Sequence, residues 1–140
     1  MRDIMIRFTE SRISVDNALR AVSTTRAGGT VLFIGTVRES SGRKKLAHLD
    51  MEAAPGLAEK DLKRISAAAK KRFDILKIAV THRTGRMNPG EIIIVVAVSA
   101  SHRKDAFKAC NFIIDELKKT TPIWKKEVGP GMSRWVEGEG

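Results

Sequence analysis

Hydrophobic and polar positions along this chain change period from two to about 3.6 and back, and those changes mark out its elements. Asp3–Phe8 reads as a short strand. Ser14 is placed to cap a helix running to about Val22, with Ala18, Leu19 and Val22 on its apolar side. Ala27-Gly28-Gly29 breaks the chain, and Thr30–Val37, β-branched and apolar with one interior glycine, reads as a core strand. Glu39–Lys45 is a polar loop and Leu46–Ala53 a further strand. Pro55-Gly56 opens a long helix to about Phe73, whose stripe at helical spacing is Leu57, Ala58, Leu62, Ile65, Ala69 and Phe73. Leu76–Arg83 and Glu91–Ser99 are strands joined through the turn Met87-Asn88-Pro89-Gly90. Ser101 is placed to cap a third helix to about Lys119, which buries Ala106, Cys110, Ile113 and Leu117 and is stopped by Pro122. An extended piece at Ile123–Glu127, a glycine-rich turn and a strand near Ser133–Val136 follow.

The resulting order is β-α-β-β-α-β-β-α-β-β. Tight turns between neighbouring strands imply antiparallel pairing, so the fold class is α+β, one domain over residues 1–140 with antiparallel sheets and three main helices. Neither a GxGxxG nor a GxxxxGK[ST] phosphate loop is present.

Composition narrows the class of protein. The 140 residues suit one globular domain, with 42% hydrophobic and 30% charged residues. No apolar run reaches the ~18 residues of a membrane span, and MRDIMIRF lacks the layout of a signal peptide, so a cytoplasmic protein is expected. The single cysteine, Cys110, falls in the apolar pattern AFKACNFII and reads as a buried hydrophobe. Three histidines and one cysteine give no metal-ligand spacing, so no metal and no cofactor are expected. Lysine and arginine number 26 against 16 acidic residues, a formal charge of +10. That excess calls for an anionic partner: a nucleic acid, a small anion or an acidic protein.

Three places depart from ordinary surface chemistry. Arg38 follows Thr36-Val37 directly at the end of an apolar strand, where scaffolds present functional groups. His102, Arg103 and Lys104 open a helix whose macrodipole disfavours cations there, a combination suited to binding phosphate or carboxylate. Lys118 lies on the last turn of that helix, and Lys125 lies beyond the proline stop. A lysine at a helix C-terminus also has an ordinary explanation in the dipole. Trp124 between the lysines is either a lid over the core or a stacking surface.

Taken together, FIGTVRESSGRKK (33–45), MEAAPGLAEKDL (51–62), HRTGRMNPGE (82–91), VAVSASHRKDAFKAC (96–110), ELKKTTPIWKKE (116–127) and RWVEG (134–138) resemble the large subunit of molybdopterin synthase, the MoaE family. The likeness runs from about Gly28 to Glu137. It implies an α/β hammerhead-like fold and a sulfurtransferase. Sulfur would pass from the C-terminal Gly-Gly thiocarboxylate of a small ubiquitin-like sulfur-carrier subunit to cyclic pyranopterin monophosphate, forming the molybdopterin dithiolene. It further implies a homodimer within a heterotetramer. By the resemblance Lys118 and Lys125 are catalytic, while Thr36, Val37, Arg38, His102, Arg103, Lys126 and Glu127 bind substrate. A helix of this length keeps its ends ~25 Å apart at ~1.5 Å per residue, so residues across a dimer interface are expected to complete the site. The rival reading is a basic nucleic-acid-binding module. Against it stand the absence of tyrosine, only 5% aromatic residues and no RNP, KH or helix-turn-helix signature.

Overall fold

The computed structural model describes residues 3–136. In chain order the elements are β1 (Ile4–Thr9), α1 (Val15–Val22), β2 (Gly29–Thr36), β3 (Ser40–Ser41), β4 (Lys44–Lys45), β5 (His48–Ala53), α2 (Pro55–Arg72), β6 (Lys77–Arg83), β7 (Gly85–Met87), β8 (Ile92–Ala100), α3 (Arg103–Thr120), β9 (Ile123–Gly129) and β10 (Met132–Val136). Residues 137–140, where the RWVEG segment ends, lie outside the described residues.

The first sheet has the order β1-β6-β8-β2. Its interior strand β8 is apolar on both faces because both are covered. Val96, Val98 and Ala100 join Leu62, Ile65 and Ala69 of α2 and Ala106, Ala109, Cys110 and Ile113 of α3 in the main core. Val95 and Ala97 face the other way, onto Ala18 and Val22 of α1. Alternation along the strand thus feeds two cores from one segment. Burying the Cys110 thiol pushes its pKa up to about 11, in keeping with an inert packing residue.

Antiparallel pairing holds for β2 with β8 and β6 with β8, but β1 pairs with β6 in parallel. Far apart in the chain, those two strands have the long connection that parallel pairing requires. The second sheet, order β10-β9-β5-β7, is antiparallel throughout. The segment expected as a polar loop holds a small hairpin, β3 with β4, turned at Gly42 with φ +64°.

Helix ends follow local chemistry in part. The Ser14 hydroxyl accepts from the Asn17 amide and caps α1 as expected. Ser101 does not cap α3. The N-cap is His102, with no side-chain cap bond, because the helix starts at Arg103 and leaves the serine one residue too early. Leu19 and Leu57, assigned to apolar stripes, are 41% and 66% exposed. Each adjoins a buried alanine (Ala18, Ala58), and a step of one residue turns the side chain ~100° off the core face.

Candidate active site

A cavity of ≈ 370 Å³ opens where the two sheets meet the C-terminal end of α3. Each wall is a periodic feature of one element. On α3, Ile114, Leu117 and Lys118 stand three and four positions apart and so share a face, which Thr121 extends beyond the helix. On β9, Ile123 and Lys125 share a face by period two, and Lys125 is the direct cross-strand neighbour of Met51 on β5. From the first sheet come Phe33, Ile34, Gly35, Thr36, Ile93, Ile94 and His82, with Arg38 just beyond β2. The cavity is therefore an apolar cleft with three cations, Arg38, Lys118 and Lys125, among its lining residues.

The chain holds those cations from two directions. The Thr121 hydroxyl donates to Asp61 Oδ2 at 2.7 Å and the Thr120 hydroxyl to the same oxygen at 2.8 Å, tying the end of α3 to α2. Arg64 donates to the other Asp61 oxygen at 2.8 Å. Burial alone would raise the Asp61 carboxyl, but the hydrogen bonds from Thr121, Arg64 and Thr120 outweigh it and hold the pKa below the usual value. On the other side, the Val37 amide donates to the Glu91 carbonyl at 2.9 Å, and the Val37 carbonyl accepts from the Gly90 amide at 2.8 Å. This clamp fixes the backbone from which Arg38 projects.

The expected site residues divide into groups. Thr36, Arg38, Lys118 and Lys125 line the one cavity. Val37 is buried and packs with Leu49, Met51 and Met87 behind it, so its part is structural support. Lys126 lies on the opposite face of β9, its ammonium 5.8 Å from the Trp135 ring centroid. Glu127 turns inward again, is buried, and accepts from Arg134 Nε at 3.2 Å. Trp124, on the outer face, is 51% exposed and is no lid over the core. His102 and Arg103 sit at the far end of α3, ~25 Å from Lys118 at the helical rise, and do not line this cavity.

Sequence reasoning missed His82. It lies at a period-two position with Ile78 and Val80, which belong to the main core, and it is buried. A titratable residue in core register was the available signal. It also missed Gly35, where an added Cβ would come within 2.8 Å of Ile94 Cγ2 and 3.3 Å of the Phe33 ring. No side chain fits there without crowding the cleft. Among the described residues, no group of three His, Cys, Asp or Glu side chains could hold a metal, and no helix is long and apolar enough to cross a membrane.

Comparison with known proteins bears on this geometry. Residues 8–120 match the family model described as MoaE protein. The molybdopterin synthase catalytic subunit of Pyrococcus abyssi is 40% identical over 126 residues, covering 90% of this chain and 85% of that protein. Molybdopterin synthase from Staphylococcus aureus has a crystal structure that superposes with a TM-score of 0.89 at 30% identity, covering 99% of each chain. Another solved structure shares the fold alone, at 17% identity and a TM-score of 0.76, covering 97% of this chain and 91% of its own. It is from a protein–protein complex of subunits 1 and 2 of molybdopterin-converting factor from Helicobacter pylori. Neither these relatives nor the concave, apolar setting of the cations supports a nucleic-acid-binding module. With 113 consecutive residues matched and the fold shared end to end, the chain belongs to the MoaE family.

Proposed function

We propose that this chain is the catalytic subunit of a molybdopterin synthase, working in the cytoplasm with a small sulfur-carrier subunit. The carrier's C-terminal thiocarboxylate donates sulfur to cyclic pyranopterin monophosphate. One observation carries the reading: Lys118 from a helix end, Lys125 from the strand that follows it, and Arg38 from a strand exit eighty positions earlier in the chain line one cleft. The donor is a thiocarboxylate anion, the acceptor bears a cyclic phosphate, and the carrier departs as a carboxylate. Every species is negative, and fixed cations in an apolar cleft stabilise such charge more strongly than they would in water. Lys118 positions the thiocarboxylate and assists proton transfer. Lys125 polarises the reacting carbon centre or its leaving oxygen, and Arg38 and Thr36 hold the substrate at the mouth.

His102 and Arg103 enter this scheme through a second copy of the chain. Strand β2 is the edge of its sheet. An edge strand offers unpaired backbone groups. Antiparallel pairing of β2 with its counterpart over the whole of Gly29–Thr36 sets Gly29 of one copy opposite Thr36 of the other. Arg103 lies against Gly29, its Cα 3.6 Å from where a glycine Cβ would stand. Such a dimer carries Arg103 and His102 of one copy toward the mouth of the other's cleft, where they supply phosphate-binding cations.

The direct test is reconstitution. Purified protein, thiocarboxylated carrier and pterin precursor should yield molybdopterin, and Lys118→Ala should lower single-turnover yield by roughly a hundredfold or more. Near-normal yield from that variant sinks the assigned role, and no product from the native protein sinks the whole reading.

A further inference from the structure

One titratable group in the cleft has no part in the roles above. His82 lies on β6 in a cross-strand row that runs Phe8, His82, Ile94 and ends on β2 at Gly35. The first three positions carry side chains and the fourth carries none, so the row ends in a notch. Phe8 stacks on the imidazole with centroids 5.7 Å apart and planes at 23°. The ring is thus clamped on one flank, open to the cleft, and only 4% exposed.

Its hydrogen bonding fixes the tautomer. Nδ1 lies 2.9 Å from the Arg83 carbonyl oxygen, which can only accept, so Nδ1 carries the proton. Burial lowers the imidazole pKa to about 4, outweighing the opposite effect of that carbonyl, so the ring is neutral near pH 7. Nε2, at the distal end of the ring, then holds a lone pair. Most other cleft groups cannot offer one. Lysine and arginine only donate, and Phe33, Ile93, Ile94, Ile114 and Leu117 are apolar, which leaves the Thr36 and Thr121 hydroxyl oxygens as the other strong side-chain acceptors lining the cleft. A ligand donor buried here without an acceptor would carry the full cost of desolvation.

We infer that His82 is a ligand-positioning residue, whose Nε2 accepts a hydrogen bond from an uncharged N–H of the molecule held in the cleft. Two components of the proposed reaction carry that chemistry: the amino-pyrimidinone edge of the pterin, and the peptide N–H groups of the carrier's glycine tail. The inference rests on the proposed function, and it adds to the cations a neutral acceptor that reads the ligand's orientation rather than its charge.

Protein carrying 15N in its histidine rings tests this at pH 7, with the His82 signal identified by its loss in His82→Gln. Cyclic pyranopterin monophosphate and a carrier ending in an unreactive Gly-Gly carboxylate are titrated separately, with binding followed by calorimetry. The Nε2 resonance should move upfield, toward the hydrogen-bonded position, with one of the two, and that arm identifies the donor. In parallel, His82→Gln keeps an acceptor and should hold that ligand's Kd within about threefold, whereas His82→Leu should weaken it about tenfold. If both ligands bind and Nε2 stays still, or if the two variants lose affinity equally, His82 is only packing against Phe8 and the inference is overturned. Product formed by the native protein in that event leaves the proposed function standing. Failure of the native protein to bind either ligand removes both.

Discussion

His82 also sets a pH limit on the fold. A histidine whose pKa falls from 6.5 to about 4 on folding is neutral in the native protein while the unfolded chain takes up a proton. Between those values the unfolded state binds more protons, so stability is complete above about pH 6.5 and falls as the pH drops toward 4. The expected loss between pH 7 and pH 5 is roughly 2 kcal/mol from this residue alone. Urea unfolding at the two pH values measures it, and His82→Gln should lose about that much less than the native protein. Equal losses in both would refute the assignment. Individual residues were unevenly legible in the sequence. Arg38, Lys118 and Lys125 announced themselves as cations at element ends, and Cys110 as a packing residue in an apolar stripe. His82 did not, because its role depends on which face of β6 the cleft opens onto, and only tertiary contact decides that. Lys126 and Glu127 were expected beside Lys125 as substrate-binding residues, yet strand alternation sends one outward to Trp135 and the other inward to Arg134.

At the scale of elements, the site depends on where α3 ends. Lys118 stands on its last turn, and the Thr120 and Thr121 hydroxyls just after it both bond to Asp61 of α2. Asp61 touches no expected substrate position, yet it holds the helix end on which Lys118 stands. Asp61→Ala leaves the Thr121 hydroxyl without its acceptor, and Thr120 and Arg64 with only their longer bonds to the Glu116 carbonyl and to Thr120 Oγ1, and should cost about 1–3 kcal/mol of stability. It should also lower turnover per folded molecule about tenfold by loosening Lys118 relative to Lys125. Asp61→Asn retains one acceptor oxygen and should recover part of that loss. Turnover unchanged in Asp61→Ala once folding is corrected for would mean the anchor is purely structural. Most elements were readable because their periodicity is strong: the continuous apolar run of β8, the stripe of α2 and the serine cap of α1. What escaped were features fixed by partners distant in sequence, such as the parallel pairing of β1 with β6. The hairpin within residues 40–45 escaped for a different reason, since its polar residues carry no hydrophobic alternation to read.

The whole molecule poses a problem of distance. By the family resemblance, cations at both ends of α3 belong to the site, but fifteen positions of helix separate Arg103 from Lys118, and only the C-terminal end lines the cleft. A site that uses both ends must therefore draw on two chains, and such sharing leaves a kinetic signature. In a dimer whose clefts pair Lys118 of one copy with Arg103 of the other, Lys118→Ala and Arg103→Ala are each impaired at every site. Mixed and allowed to exchange, they form hybrid dimers in which one cleft receives native Lys118 from one chain and native Arg103 from the other. Random exchange of equal amounts makes half the dimers hybrid with one intact cleft in each, so the mixture should regain roughly a quarter of native turnover. If each cleft is instead served by a single chain, every cleft in every hybrid keeps one defect and mixing restores nothing. Because both variants are surface changes at exposed positions, neither should disturb folding, and the recovered fraction reads the geometry directly. Recovery would also account for part of the chain's basic excess: the cations at 102–104 would then serve not their own cleft but a neighbour's.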